Sequence, residues 1–118
     1  MSLLVLTLLA AAPQPDCERA ATQPEFNACA LAAFRHADAA LNRQWAATLQ
    51  AVRSQDDAPR AARLRAAQRA WSAFRDAHCD SAHFGTIGAS LDYTLNIYCR
   101  TRLTEERTRQ LADFAMEH

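Results

Sequence analysis

"LRAAQRAWSAFRDAHC", residues 64–79, sets a tryptophan and a phenylalanine among three arginines and closes on a histidine and a cysteine. Read as a line, it suggests an aromatic and basic platform for nucleic acid. On a helix, however, Leu64, Ala67, Trp71, Phe74 and His78 follow a 3-4-3-4 spacing and form one stripe, expected to face a partner helix. Arg65, Arg69 and Ser72 point away from that stripe, whereas a base-stacking groove would put arginines and aromatics on the same face. The stretch therefore reads as the inside of a small helical fold. Arg75 is the exception, falling within about 40° of Leu64 and Trp71 at 100° per residue. An arginine there needs a partner, because an unpaired buried charge costs several kcal/mol. Asp38 flanks the apolar stripe of the preceding helix in the same way, so an Asp38–Arg75 ion pair fixing helix register is expected.

Working outward, Thr22-Gln23-Pro24-Glu25 has the form of a helix start, with Thr at the N-cap, Glu three residues on and Pro in the first turn. Phe26, Ala30, Ala33, Phe34, Ala37, Leu41, Trp45, Leu49 and Val52 then recur at three- and four-residue steps, predicting one long amphipathic helix. "RSQDDAP" ends it, with Asp56 or Asp57 free to cap the next helix and Pro59 in that helix's first turn. Gly85 and Gly88 stop the second helix. A third begins at Ala89 or Ser90, carrying Leu91, Leu95, Tyr98 and Cys99, and Thr104 is a natural cap for a last segment with Leu111 and Phe114 inward. The expected fold is all-α: a small disulfide-bonded bundle of three to four helices, the first one long.

The 118 residues suffice for one domain and one modest core. Basic and acidic residues balance at 13 each, and the basic ones are all Arg, so the excess of positive charge usual in a nucleic-acid binder is missing. Residues 1–12, "MSLLVLTLLAAA", form an apolar run too short to span a bilayer core of roughly 30 Å. The run has the length of a signal-peptide h-region and ends in small residues, although no Lys or Arg precedes it and Pro13 follows the most obvious cut. The alternative is a buried N-terminal helix. We take 1–12 as a signal peptide and 13–118 as a single exported helical domain without a lipid-attachment pattern, periplasmic or secreted.

Export decides how the cysteines are read. Cys17, Cys29, Cys79 and Cys99 are an even set expected to form two disulfides, and three connectivities are possible. Cys17–Cys29 and Cys79–Cys99 are favoured because each pair brackets one turn signal, "TQP" and "FGTIG". No pair has CxxC spacing. Cys79 and His83 are one helical turn apart, with His78 beside them, but the disulfide is the better use of Cys79 and no metal site or cofactor is assigned. Asp76 and Asp80 are a same-face pair on a helix surface rather than glycosidase carboxylates, and no nucleophile elbow, phosphate loop or HExxH is present, so no enzymatic activity is assigned. The loop 82–90 is the candidate partner-binding element. It carries Phe84, Gly85, Ile87, Gly88 and Ser90, and a bracing disulfide would lower the entropy cost of binding. Completing the core is its alternative role.

The ordered pieces "CERAATQPEFNACALAAFRHADAALNRQW", "LRAAQRAWSAFRDAHC", "GAS" and "CRTRLTEERTRQL" resemble the LprI-type lysozyme inhibitor N-terminal family. The resemblance runs from Cys17 to about Leu111. Its most specific parts are TQ-x-E-x-N-x-C-A, AD-x-x-LN, LR-x-AQRAW-x-x-FRDA-x-C and LT-x-x-R-x-x-x-L. Gly88-Ala89-Ser90 departs from the Gly-Gly-Ser often found there. The resemblance implies a small exported bacterial protein that binds a protein partner, lysozyme in the reading that gives the family its name, by occluding the enzyme's cleft. The alternative is a periplasmic structural or stress-related interaction module with a different protein partner.

Overall fold

The computed structural model describes residues 14–84 and 89–118. Three helices follow in order: α1, Gln23–Ser54; α2, Ala58–Ala82; and α3, Ala89–Glu117. The expected leader, residues 1–12, lies outside the described residues.

Local chemistry sets the ends of α1 and α2. Thr22 is extended at the α1 N-cap, where its hydroxyl accepts the Glu25 amide and donates to the Glu25 carboxylate at 2.7 Å. At the other end Asp56 takes a left-handed backbone, φ 54°, a conformation in which Asp is among the better tolerated non-glycine residues. Asp57 then caps α2 by accepting the Arg60 amide at 3.1 Å.

α1 and α3 run parallel, and α2 returns antiparallel to both. The order of cross-links shows this. On α1, Gln23 Nε2 donates to Thr94 Oγ1 at 2.6 Å near the helix starts, and Thr48 Oγ1 donates to the Leu111 carbonyl at 3.0 Å further along. On α2 the order reverses, with Cys79 bonded to Cys99, Arg75 on Thr104 and Gln68 on Arg107. The core is Leu41, Val52, Ala61, Leu64 and Leu111, with Trp45, Leu49, Trp71 and Phe114 packed against it. Both disulfides pair as expected, Cys17–Cys29 and Cys79–Cys99, and each should contribute about 3 kcal/mol for loops of this length in the chain-entropy account.

Three expectations are corrected. α3 is continuous through Thr104, which is wholly buried in mid-helix rather than capping a fourth helix. A threonine is tolerated there because its hydroxyl accepts from Arg75 and its carbonyl from Thr108. Secondly, the buried stripe of α2 is rotated. Cys79 is fully buried against α3, and Phe74, five residues earlier, therefore lies about 140° away around the helix. Ala61, Leu64, Trp71, Arg75 and Cys79 turn inward, while Ala67, Phe74 and His78 are exposed and the Phe74 and His78 rings stack on each other at 5.3 Å. Lastly, Arg75 and Asp38 form no ion pair. The Arg75 side chain is 12% exposed and pairs with Asp76 at 3.0 Å, the next residue on its own helix. It also donates to Thr104 at 3.3 Å and lies over the rings of Trp71 and Phe34, 5.1 and 5.5 Å from their centroids. Two aromatic faces take the place of the second carboxylate.

Arg75→Ala should accordingly destabilise by about 2–3 kcal/mol through the lost ring contacts, hydrogen bond and aliphatic packing. Asp38→Ala should stay within about 0.5 kcal/mol of the parent in urea unfolding. A larger loss at Asp38 than at Arg75 would reinstate the ion pair.

Candidate protein-interaction surface

The disulfide-braced end of α2 is built upward from residues 75–80. Cys79 holds α2 to α3, and Asp76, three residues before it, and Asp80, the next residue, both pair with Arg100. Arg100 donates from Nη1 to Asp76 and from Nη2 to Asp80, both at 2.9 Å, and from Nε to Asn96 at 2.7 Å. Asn96 donates in turn to Asp80 at 2.9 Å. The paired aspartates are thus absorbed in a polar strap between two helices. Hydrogen bonds from Asn96 and then Arg100 hold the Asp80 carboxyl below its ordinary value of 3.8.

Beneath the strap lies a cleft of about 350 Å³, lined by Leu31 and Phe34 of α1, Tyr93 and Ile97 of α3, and the strap residues Asp80, Asn96 and Arg100. This is the end of the bundle where α1 and α3 begin and α2 finishes. Several large exposed apolar side chains belong to this end of the bundle, Phe26, Phe84, Leu91 and Tyr93, although Leu91 and Tyr93 lie on opposite sides of α3. Phe84 is 82% exposed. Sequence reasoning singled out Phe84 but missed Phe26, Leu91 and Tyr93, because the lateral packing that decides which helix faces stay open is not written in the local periodicity.

Of the other residues in the candidate loop, Gly85, Ile87 and Gly88 lie outside the described residues, as does the side chain of Ser90. The histidines and cysteine once weighed as metal ligands are not brought together: Cys79 is in its disulfide, His78 stacks on Phe74, and no cluster of three or more His, Cys, Asp or Glu among the described residues could hold a metal. No described helix is long and apolar enough to cross a membrane.

The strap has a signature in acid. Asp80 titrates lower in the folded chain than its ordinary value, so its contribution is fully present above pH 3.8 and lost as the pH falls through the folded-state pKa. The difference in melting temperature between parent and Asp80→Asn should be constant at and above pH 5 and shrink toward zero in stronger acid. A difference that grows on acidification would contradict the strap.

A family model described as "Lysozyme inhibitor LprI" matches residues 16–111. "Uncharacterized protein R02472" of Rhizobium meliloti (strain 1021) is 37% identical over 110 residues, covering 86% of this chain and 79% of that protein. No solved structure matches the chain. Two disulfides and the family match together fit a protein that folds outside the cytoplasm, and the family is one of inhibitors rather than enzymes. The chain belongs to the LprI lysozyme-inhibitor family.

Proposed function

We propose that this protein is an exported, periplasmic or secreted inhibitor of a lysozyme that acts by occluding the enzyme's cleft. The observation that carries the reading is the family match over nearly all of the described chain. The apolar end of the bundle supports it. Inhibitors of enzymes work best from a preorganised surface, because little entropy is then lost on docking. Phe84 stands two residues beyond α2, five beyond the Cys79–Cys99 bridge, and presents an aromatic anchor from a braced position. Phe26, Leu91 and Tyr93 expose further apolar and aromatic area at the same end, of the kind that dominates binding energy at interfaces. Lysozyme cleaves with a pair of carboxyl groups beside the scissile bond. Asp76 and Asp80 at this end are paired with Arg75 and Arg100, which lessens a source of repulsion from that cleft.

The test is a lysozyme turbidity assay with purified oxidised protein against several lysozyme types. Inhibition that saturates near one inhibitor per enzyme is expected with at least one of them. Phe84→Asp should weaken it by more than about tenfold while leaving the melting temperature unchanged, as expected of an aromatic hot spot. No inhibition at a large molar excess against any lysozyme would remove the proposal and leave an interaction module with a different protein partner.

A further inference from the structure

The opposite end of the molecule holds a second, chemically distinct feature. Between the N-terminal half of α2 and the C-terminal half of α3 runs a groove of about 410 Å³, within the range of small-molecule sites. Its floor is Leu64, Ala67 and Phe114, and its polar rim carries three arginines, Arg60, Arg63 and Arg107, against one carboxylate, Asp57. The three are not equivalent. Arg60 is engaged by Asp57 at 3.0 Å and lies 2.6 Å from His118 Nδ1. Arg107 has no acidic partner among the described residues. Its guanidinium donates to two neutral amide oxygens, Gln68 at 2.8 Å and Gln110 at 3.3 Å, and lies 6.0 Å from the Trp71 ring centroid. Burial pushes its pKa down, the mark of a cation that has lost water without gaining an anion. Arg63 is exposed at the mouth. Asp113 and Glu117 line an adjoining depression that shares Leu64, Arg107 and Phe114 with the groove, but neither makes an ion pair with Arg107.

We propose that this groove binds a carboxylate carried on an apolar or aromatic body. The ligand's carboxylate would meet the Arg107 guanidinium, with Arg63 closing over it, and its apolar body would lie on Leu64, Ala67 and Phe114. A planar carboxylate suits one guanidinium fork in bidentate contact, and the apolar floor selects against a bare inorganic anion. A free aromatic acid and the C-terminal residue of a peptide share this chemistry. The site is remote from the Phe84 end and does not depend on the inhibitor reading.

Calorimetry on the intact oxidised protein, together with the Nε–H resonance of Arg107, tests it using phenylpropanoate and the peptide Ala-Ala-Phe, each as free acid and as amide, and inorganic phosphate. At least one free acid should bind below about 1 mM and shift the Arg107 resonance, with its amide weaker by about tenfold or more, a difference of about 1.4 kcal/mol. Tighter binding of the peptide or of the free acid tells which source the groove prefers. Arg107→Gln should abolish the discrimination between acid and amide. Ala67→Glu, at an exposed helical position that tolerates the change, should block binding with the melting temperature retained. Absence of binding by both acids at about 10 mM, amides equal to acids, phosphate binding more tightly than either acid, or full binding by Ala67→Glu would each overturn the proposal.

Discussion

Arg75 lies where the three helices converge, and its charge is held there by chemistry from all of them. Phe34 of α1 and Trp71 of α2 offer ring faces, Thr104 of α3 offers a hydroxyl, and Asp76 supplies the counter-charge while also serving Arg100. A guanidinium can be satisfied this way because its plane stacks on aromatics while its edge still donates, which an ammonium could not do equally well. The register of α2 against both neighbours follows from this contact and from the Cys79–Cys99 bridge one turn away. With α2 so placed, Cys79 faces α3, Phe74 faces out, and the polar strap and the cleft beneath it take their positions.

The motif residues that reveal the family are largely the ones that cement this junction. Thr22 and Glu25 form the cap of α1, Gln23 and Asn27 both reach Thr94 of α3, and Cys29 closes the first disulfide. Gln68 accepts from Arg107, Trp71 underlies two guanidinia, and Thr104 accepts from Arg75. The Leu111 side chain is buried and its carbonyl takes the Thr48 hydroxyl. A motif built of such contacts identifies a scaffold. The Phe84 end uses residues mostly outside it, whereas the arginine groove draws Leu64, Ala67 and Arg107 from it.

This explains what was legible in the sequence and what was not. Caps and disulfides are local: Thr22 and Asp57 sit where a short-range rule puts them, and each cysteine pair spans a single turn. The heptad-like run through Ala37, Leu41 and Val52 likewise reports a core face directly. Thr104 defeated the same reasoning because a good capping residue is also a small hydroxyl that can sit buried opposite an arginine, and only the neighbouring helix decides between the two. Phe74 and His78 defeated it because a helix with apolar residues on more than one face has two possible stripes. The disulfide selected the other one. Arg75 meets an acid on its own helix, Asp76, and aromatic rings at the same helical level, neither of which a search for an acid on the facing helix reveals.

The side-chain resonances of Arg75 test this account most directly. In the oxidised protein its Cδ protons should be shifted upfield by the ring currents of Trp71 and Phe34, with nuclear Overhauser contacts to both rings and to the Thr104 methyl group, and a slowly exchanging Nε–H. An Arg75 side chain at random-coil shifts, or one whose contacts run to the Asp38 turn and to neither ring, would contradict the claim that this guanidinium joins the three helices.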